Sequence, residues 1–290
     1  VVGWAMRYHP HGDSSIYEAL VNLANCDLFI ERQGNFGNTL TGDSAAAARY
    51  IECRLLPFAK KVLYNPELTE FVDSYDGRNQ EPVAFPAKIP VVLIQGVSGI
   101  AVGMSTYILP HNPLEVLDAM AASLKGESYQ LYPDFLGGGI VDVEDYRDGR
   151  GSVSVRAKLN TSDPKRIIIE ELPYGTTSEA MIRSVEEAAK KGKLKISSIN
   201  DYTAEKVNIE INLARNTYAQ EIVDALYAYT DCETKLSINP LVIKDNVPTI
   251  MGVHEILDWH ARHLVVVLKA ELELEKGHLL DKLHARTLER

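Results

Sequence analysis

"TGDSAAAARYIECRL", residues 41–55, places an arginine and a tyrosine at the end of a run of four alanines. Alanine is the strongest helix former, and Asp43 or Ser44 is a suitable cap in front of it. Beyond Tyr50, the residues Ile51, Leu55, Phe58 and Val62 continue as an apolar stripe, and Pro57 either kinks this helix or begins a second. The stretch therefore predicts a helix. A solvated helix face needs only Lys or Glu, so the pair Arg49–Tyr50 raises the question of whether Tyr50 packs or reacts.

On the N-terminal side lies the glycine-bearing loop "ERQGNFGNTLTGD", and before it Ser15 and Glu18 at capping-box spacing open an amphipathic helix of about three turns carrying Ile16, Ala19, Leu20, Leu23 and Ala24. On the C-terminal side, "FVDSYDGRNQEPVAFPAKIPVVLI" has an Asp76-Gly77 turn between strand-like runs, which suggests helices backed by a β-wing. From Gly96 the pattern changes. Asn112, Pro113 and Glu115 begin a helix running to about Leu124, strand-like runs follow at 139–143, 152–159 and 165–172, Thr176 and Glu179 open a helix that Gly192 closes, and "KVNIEINLAR" precedes a helix from Tyr218. This is an α+β arrangement. The tail from Gly252 to Arg290 lacks proline and carries Leu257, Leu264, Leu268, Leu272, Leu279 and Leu283 along one side. A helix of roughly 38 residues is about 57 Å long, too long for a globule of this size to cover, so it is expected to project.

The whole chain, 290 residues with 46% apolar content, suffices for two domains. Its 30 basic and 40 acidic side chains sum to −10, which argues weakly against DNA, although a local basic face can hide in an acidic total. Cys26, Cys53 and Cys232 are odd in number and lack C-x-x-C spacing; they fit a reducing cytoplasm and exclude both a disulfide framework and a cysteine zinc site. The longest apolar stretch, "IPVVLIQGVSGIAVGM" from Ile89, is interrupted by Gln95, Ser98 and three glycines, so no membrane span is expected. Val1 opens in mid-pattern, and the chain reads as a piece of a longer protein.

Three motifs invite chemistry. "YHPHGDS" aligns His9 and His11 on one side of an extended segment, a metal pair with Asp13 as third ligand, or else a polar turn before a helix. "QGNFG" and "GVSGIAVG" lack the spacing and the lysine of nucleotide loops and read as turns or close backbone approaches. Tyr50 in its structural reading covers helix surface beside an Arg49–Glu52 pair at i, i+3. In its reactive reading the phenol oxygen attacks a phosphodiester and becomes the new ester partner, conserving the linkage for resealing. A phenol is almost wholly protonated near neutrality, so its proton must be drawn off and the phosphate charge stabilised. Arginine suits that second task because its fork stays charged and matches two phosphate oxygens. Arg49 is adjacent, and Arg54 falls one helical turn after Tyr50.

The stretches "YHPHGDSSIYEALVNLA", "QGNFGNTLTGDSAAAARYIECRL" and "AKIPVVLIQGVSGIAVGMSTYILPHN", followed by the leucine-striped helix, resemble in content and order the A subunits of bacterial DNA gyrase and topoisomerase IV. The resemblance covers essentially the whole chain. It implies a truncated winged-helix (helix-turn-helix type) DNA cleavage domain over 1–95, an α+β tower domain over 96–245, and the first arm of a coiled coil leading to an exit gate over 246–290. It further implies that Tyr50 forms a 5'-phosphotyrosine link, that Arg49 assists it, and that His9 and His11 lie near the scissile phosphate, which weakens the metal-ligand reading. Ser14, Arg54, Lys88 and Ile108 are the implied DNA contacts, Ile108 as an apolar wedge between base pairs; without the resemblance Ile108 reads as a core residue before Pro110. Ser14 and Glu18 match the positions that hold quinolone drugs through a water-coordinated Mg2+. The resemblance places Mg2+ and ATP on a partner B subunit, with no metal ligands in this chain. It implies an ATP-dependent, cytoplasmic enzyme that acts on double-stranded DNA as A2B2, and one tyrosine per strand argues for a homodimer of A subunits. The alanines are then expected to let the helix lie close against DNA or partner backbone. The loop "GNTLTGDSAAAARY" reads closer to the gyrase form, while the choice between gyrase and topoisomerase IV stays open.

Two other readings compete. A metallohydrolase built on His9, His11 and Asp13 requires further ligands downstream, and the later histidines form no such cluster in the sequence. A non-enzymatic winged-helix DNA-binding protein requires no Tyr50 hydroxyl.

Overall fold

A computed structural model of the chain describes residues 1–10 and 12–288. The opening third comprises α1 (Val2–Ala5), α2 (Asp13–Asn25), β1 (Ile30–Gln33), a 3-10 turn at Ala48–Tyr50, β2 (Glu52–Leu55), α3 (Pro57–Val62), β3 (Phe71–Asp73), β4 (Gln80–Pro82) and α4 (Val91–Gln95). There follow β5 (Val97–Ala101), β6 (Met104–Ile108), α5 (Pro113–Lys125), β7 (Ile140–Asp142), β8 (Ser152–Arg156), β9 (Lys158–Asn160), β10 (Arg166–Glu171), α6 (Ser178–Lys190), β11 (Ile196–Asp201), β12 (Ile209–Leu213), α7 (Ala219–Tyr229), β13 (Glu233–Ser237), β14 (Leu241–Lys244), β15 (Val247–Ile250) and α8 (Val253–Leu288). The result is a mixed helix and strand protein of small antiparallel sheets ending in one long helix. No described helix is long and apolar enough to cross a membrane.

Two apolar clusters hold it together. One contains Phe29, Phe36, Leu93, Leu109, Val116, Leu131 and Val155 and is closed by Ile256 and Leu257 at the start of α8. The other lies between the four-stranded sheet β11-β12-β10-β9 and helices α6 and α7. In β10 and β12 the isoleucines at 167, 169, 209 and 211 alternate inward and are fully buried, as period-2 patterning requires. Met181, Val185 and Ala188 supply the matching helical stripe of α6.

Several local signals act as read. The Asn112 side chain accepts from the Leu114 N–H at 3.0 Å and Pro113 takes the first helical position of α5. Pro57 begins α3 rather than kinking a longer helix. The Asp76-Gly77 turn joins β3 to β4, with Phe71 opposite Pro82. Others act differently. The capping box at Ser15 is not formed: α2 begins two residues earlier at Asp13, and the Ser15 hydroxyl donates to the Gly12 carbonyl at 3.3 Å. Thr177 rather than Thr176 caps α6, its hydroxyl accepting from the Ala180 N–H at 3.3 Å. "GVSGIAVG" holds a close backbone approach as read, a Cβ on Gly96 falling 2.6 Å from the Ile108 carbonyl oxygen, but most of it is the strand β5, paired with β6.

The largest correction concerns the alanines. Residues 44–47 have no regular structure, Ala48–Tyr50 form a single 3-10 turn, and 52–55 are a strand. Four alanines are too few to hold a helix by propensity alone, because nucleation is unfavourable. Here the neighbouring chain offers their backbone other partners. The Ala46 N–H donates to the Asn35 carbonyl at 3.0 Å, its carbonyl accepts from the Tyr17 hydroxyl of α2, and the following residues pair with β1, Glu52 opposite Gln33 and Arg54 opposite Glu31.

At the other end, α8 runs for 36 residues, about 54 Å at 1.5 Å per residue. Its apolar face is buried through Val267, and further out Leu272, Leu279 and Leu283 are exposed, so the helix projects as its length predicts. Glu289 and Arg290 lie outside the described residues. The root of α8 is set in a polar network. Asp148 accepts from the His254 N–H at 3.1 Å and sits 2.6 Å from His254 Nδ1, while Asp258 accepts from Tyr129 and Ser123 at 2.8 and 2.6 Å.

Candidate active site

Tyr50 stands at the close of a long excursion between β1 and β2. The outgoing limb, 34–38, and the returning limb, 43–51, lie against each other. Asn38 and Asp43 form an isolated bridge, and a Cβ on Gly37 would fall 2.5 Å from the Asp43 carbonyl oxygen. Gly37 also has φ +82°, so glycine is required there both by conformation and by the approach of the returning chain. Phe36 anchors the outgoing limb in the first core, and the Asn25 side chain donates to its carbonyl at 3.1 Å. The backbone that carries Tyr50 is thus fixed mainly by main-chain contacts, while the side chains of 49 and 50 point outward.

Tyr50 is 68% exposed, and the Arg49 guanidinium carbon lies 4.7 Å from the centre of its ring. An exposed phenol with a permanent cation against it is the pairing that attack on a phosphodiester needs. Beside them, the first three residues, Tyr17 and Leu20 of α2, Ala48, Arg49 and residues 51–53 line a depression of about 530 Å³. Ser14 and Glu18 are both exposed and one turn apart on α2, so they share a face. His9 is exposed just before that helix; His11 lies outside the described residues.

Three of the expected DNA contacts are engaged within the chain itself. Arg54 does not share a helical face with Tyr50, because it lies on strand β2, where its guanidinium makes a two-pronged pair with Glu31 at 2.6 and 2.8 Å. Hydrogen bonding to Arg54 holds the Glu31 carboxyl below its usual range, and the same bond raises Arg54. Lys88 is half-buried and paired with Glu271 of α8 at 2.7 Å, so it braces the long helix instead of presenting a free cation. Ile108 is 2% exposed inside the first core, as its reading as a core residue before Pro110 expects. On the same hairpin the most exposed apolar side chains are Ile100, 93% exposed, and the fully exposed Val102 at the tip. The sequence signal for them was the alternation either side of the Val102-Gly103 turn, which reading the stretch as loop concealed. Among the described residues no three His, Cys, Asp or Glu side chains come together as a metal site.

The sequence matches the profile of the family of DNA gyrase/topoisomerase IV A subunits over residues 1–289. It is 57% identical to the DNA topoisomerase 4 A subunit of Borreliella burgdorferi over 289 residues, covering 100% of this chain and 46% of that protein. It is 33% identical to the DNA gyrase A subunit of Metamycoplasma arthritidis and 35% identical to that of Aeromonas salmonicida, each over 96% of this chain and 34% of the relative. The chain thus spans less than half the length of these relatives. An exposed Arg49–Tyr50 pair on a braced loop and a profile that fits nearly every residue lead to one assignment: the chain belongs to the family of DNA gyrase/topoisomerase IV A subunits.

Proposed function

We propose that this chain is the DNA breakage-reunion part of an ATP-dependent type IIA topoisomerase, with Tyr50 as nucleophile. The observation that carries the reading is the exposed Tyr50 ring under the Arg49 guanidinium at 4.7 Å, in a chain of this family. The Tyr50 oxygen gives up its proton and bonds to a backbone phosphorus of duplex DNA. The phosphorus–O3' bond breaks, leaving a 5'-phosphotyrosine and a 3'-hydroxyl that takes a proton. Resealing reverses the exchange, with no net loss of phosphodiester bonds. Arg49 stabilises the phosphate charge that develops, and His9 and His11 lie near the scissile phosphate. Ser14 lies on the DNA face, and with Glu18 it forms the quinolone-binding face of α2. The apolar wedge that bends the duplex comes from the β5–β6 hairpin, where Ile108 holds the position the resemblance implies and Ile100 and Val102 are exposed at the tip.

In this reading residues 1–95 form a winged-helix cleavage domain, 96–245 the tower and 246–290 the first arm of a coiled coil. Two A subunits each contribute one tyrosine and join two B subunits, which hold Mg2+ and ATP. Mg2+ supplies charge neutralisation at the phosphate, and the steps assigned to this chain's own residues do not pass through it. The enzyme works in the cytoplasm. The higher identity to a topoisomerase 4 protein, 57% against 33–35% for the gyrase proteins, favours decatenation as its task.

The test uses the full-length A subunit with its B subunit, Mg2+ and supercoiled plasmid. Denaturant is expected to trap plasmid covalently on the native protein and none on Tyr50→Phe. An adduct that persists in Tyr50→Phe, or that maps to another side chain, overturns the reading; DNA binding unaffected by the substitution, with no adduct in either protein, identifies a non-enzymatic DNA-binding module. The 290-residue chain alone is expected neither to cleave nor to relax DNA.

A further inference from the structure

The excursion that carries Tyr50 does not end in solvent. At its tip Leu40 leaves the first core altogether and packs against the second, the one built by α6, α7 and the four-stranded sheet. The Leu40 carbonyl accepts from the Ser178 N–H at 2.8 Å, at the first residue of α6. Gly42, with φ +90°, lies so close to the Thr177 cap that a Cβ there would sit 3.2 Å from the Thr177 methyl. The tip is also internally braced: Asn38 Oδ1 accepts from the N–H groups of Leu40 and Thr41 at 2.8 and 3.3 Å, and the Thr41 hydroxyl donates to Asp43 at 2.6 Å. Phe36, four residues before Leu40, belongs to the first core. One short loop is therefore pinned in both cores, and Tyr50 rides on its returning limb.

We propose that Leu40 is a positioning residue for the Tyr50 reaction: it ties the cap of α6 to the loop and so sets where the tyrosine stands relative to the rest of the molecule. The inference rests on the proposed role of Tyr50. Main chain from Leu40 to Tyr50 is ten residues long, and it is held at Asn38–Asp43, at Ala46 by Asn35 and Tyr17, and at β2 by β1, leaving little slack to absorb a displaced tip. Packed contacts of this kind transmit displacement, because protein interiors are nearly incompressible. A shift of about 1 Å in a reacting group is enough to lower a rate by roughly a hundredfold.

The experiment compares Leu40→Ala, Leu40→Met and Ser178→Pro with the native full-length A subunit, each assembled with the B subunit, Mg2+ and supercoiled plasmid. Ser178→Pro deletes the N–H that Leu40 accepts from at a position where proline suits a helix, and Ser178→Ala controls for loss of the hydroxyl. Two quantities are read: plasmid binding at equilibrium, and the fraction of plasmid trapped covalently. Leu40→Ala and Ser178→Pro are expected to bind within about twofold of the native protein and to lose roughly tenfold or more of the covalent product. Leu40→Met, which conserves volume, is expected to restore it. Equal adduct in Leu40→Ala and the native protein overturns the inference, as does a parallel fall in binding and adduct, which marks a plain scaffold role. If Leu40→Ala does not fold, Ser178→Pro with native adduct levels overturns it. A native protein whose adduct does not depend on Tyr50 defeats the proposed function itself, which the Tyr50→Phe arm reports separately.

Discussion

The loop around Tyr50 and the root of α8 solve opposite problems. In the loop, the returning backbone is held largely by backbone, Ala46 to Asn35, Asn38 to Asp43 and β1 to β2, with Phe36 and Leu40 as its anchors and the Arg49 and Tyr50 side chains left facing out. At the root, side chains do the holding and are consumed by it. His111 is buried between the Leu93 carbonyl and the Tyr146 hydroxyl, each 3.0 Å away, and Tyr129, Ser123, Asp258, His254 and Asp148 are joined in one network. A carbonyl only accepts, so His111 Nδ1 carries the proton and Nε2 accepts from Tyr146, which makes it a neutral imidazole. Burial depresses its pKa to about 4, against weaker opposing hydrogen bonds, and burial pushes Tyr146 and Tyr129 up. A reacting group must remain accessible, so its position is best fixed through the main chain. A projecting arm needs a stiff footing, and buried side-chain bonds provide one at the cost of sensitivity to pH.

The contrast can be broken most forcefully at the footing. Leu257 is fully buried where α8 meets the first core, and Leu257→Ala is expected to destabilise the chain by about 2–5 kcal/mol in denaturant titration. A loss under about 1 kcal/mol would show that α8 is not rooted there. Acidification comes next. Between the ordinary imidazole value of 6.5 and about 4, unfolded His111 binds a proton that the folded form refuses, so stability falls as pH drops through that window, by up to roughly 3 kcal/mol. His260, also lowered to about 4 by burial and then by His263, adds a second loss in the same direction. His254 acts the other way. Burial lowers its pKa, but the bonds to Asp148 and to the Tyr129 carbonyl and the two aspartate charges outweigh that and raise it, so its contribution is complete below pH 6.5 and fades as pH rises through the elevated value. Melting temperature measured from about pH 7 to 4 should fall, and His111→Gln should flatten the curve; an unchanged slope in that variant sinks the assignment.

In the loop the effects on stability should be smaller. Gly37→Ala puts a side chain at φ +82° against the Asp43 carbonyl, and a penalty of about 1–2 kcal/mol is expected from the left-handed backbone alone. Tyr50→Phe removes one exposed hydroxyl and should leave the melting curve within about 0.5 kcal/mol of the native one while abolishing the covalent adduct. A large stability loss in Tyr50→Phe would mean that the tyrosine packs, and the distinction between the two regions would fail.

Much of the architecture was legible because it rests on local chemistry. Asn112-Pro113 and the Asp76-Gly77 turn each act through neighbours in sequence, and the alternation of Ile209, Glu210, Ile211 and Asn212 announces a buried strand face without reference to anything distant. The alanine stretch misled for the converse reason. Its propensity is helical, but its hydrogen-bond partners are Asn35, more than ten residues back, and Tyr17, on another helix. The surroundings of Ile108 and Lys88 were hidden from the sequence in the same way. Whether an isoleucine near a hairpin end faces core or solvent depends on strand register, and what a lysine pairs with depends on where α8 passes, here bringing Glu271 alongside it.

The sequence by itself determined which side chains stand together along the chain: Arg49 beside Tyr50, Ser14 one turn from Glu18, and a leucine stripe long enough to outrun the globule. Tertiary structure alone decided that the alanines form no α-helix, that Ile100 and Val102 rather than Ile108 reach solvent, and that Leu40 packs on the second core. The physical reason is range. Covalent adjacency and helical spacing are fixed within a few residues, whereas hydrogen-bond partners and burial are settled by segments that meet only after the chain has folded.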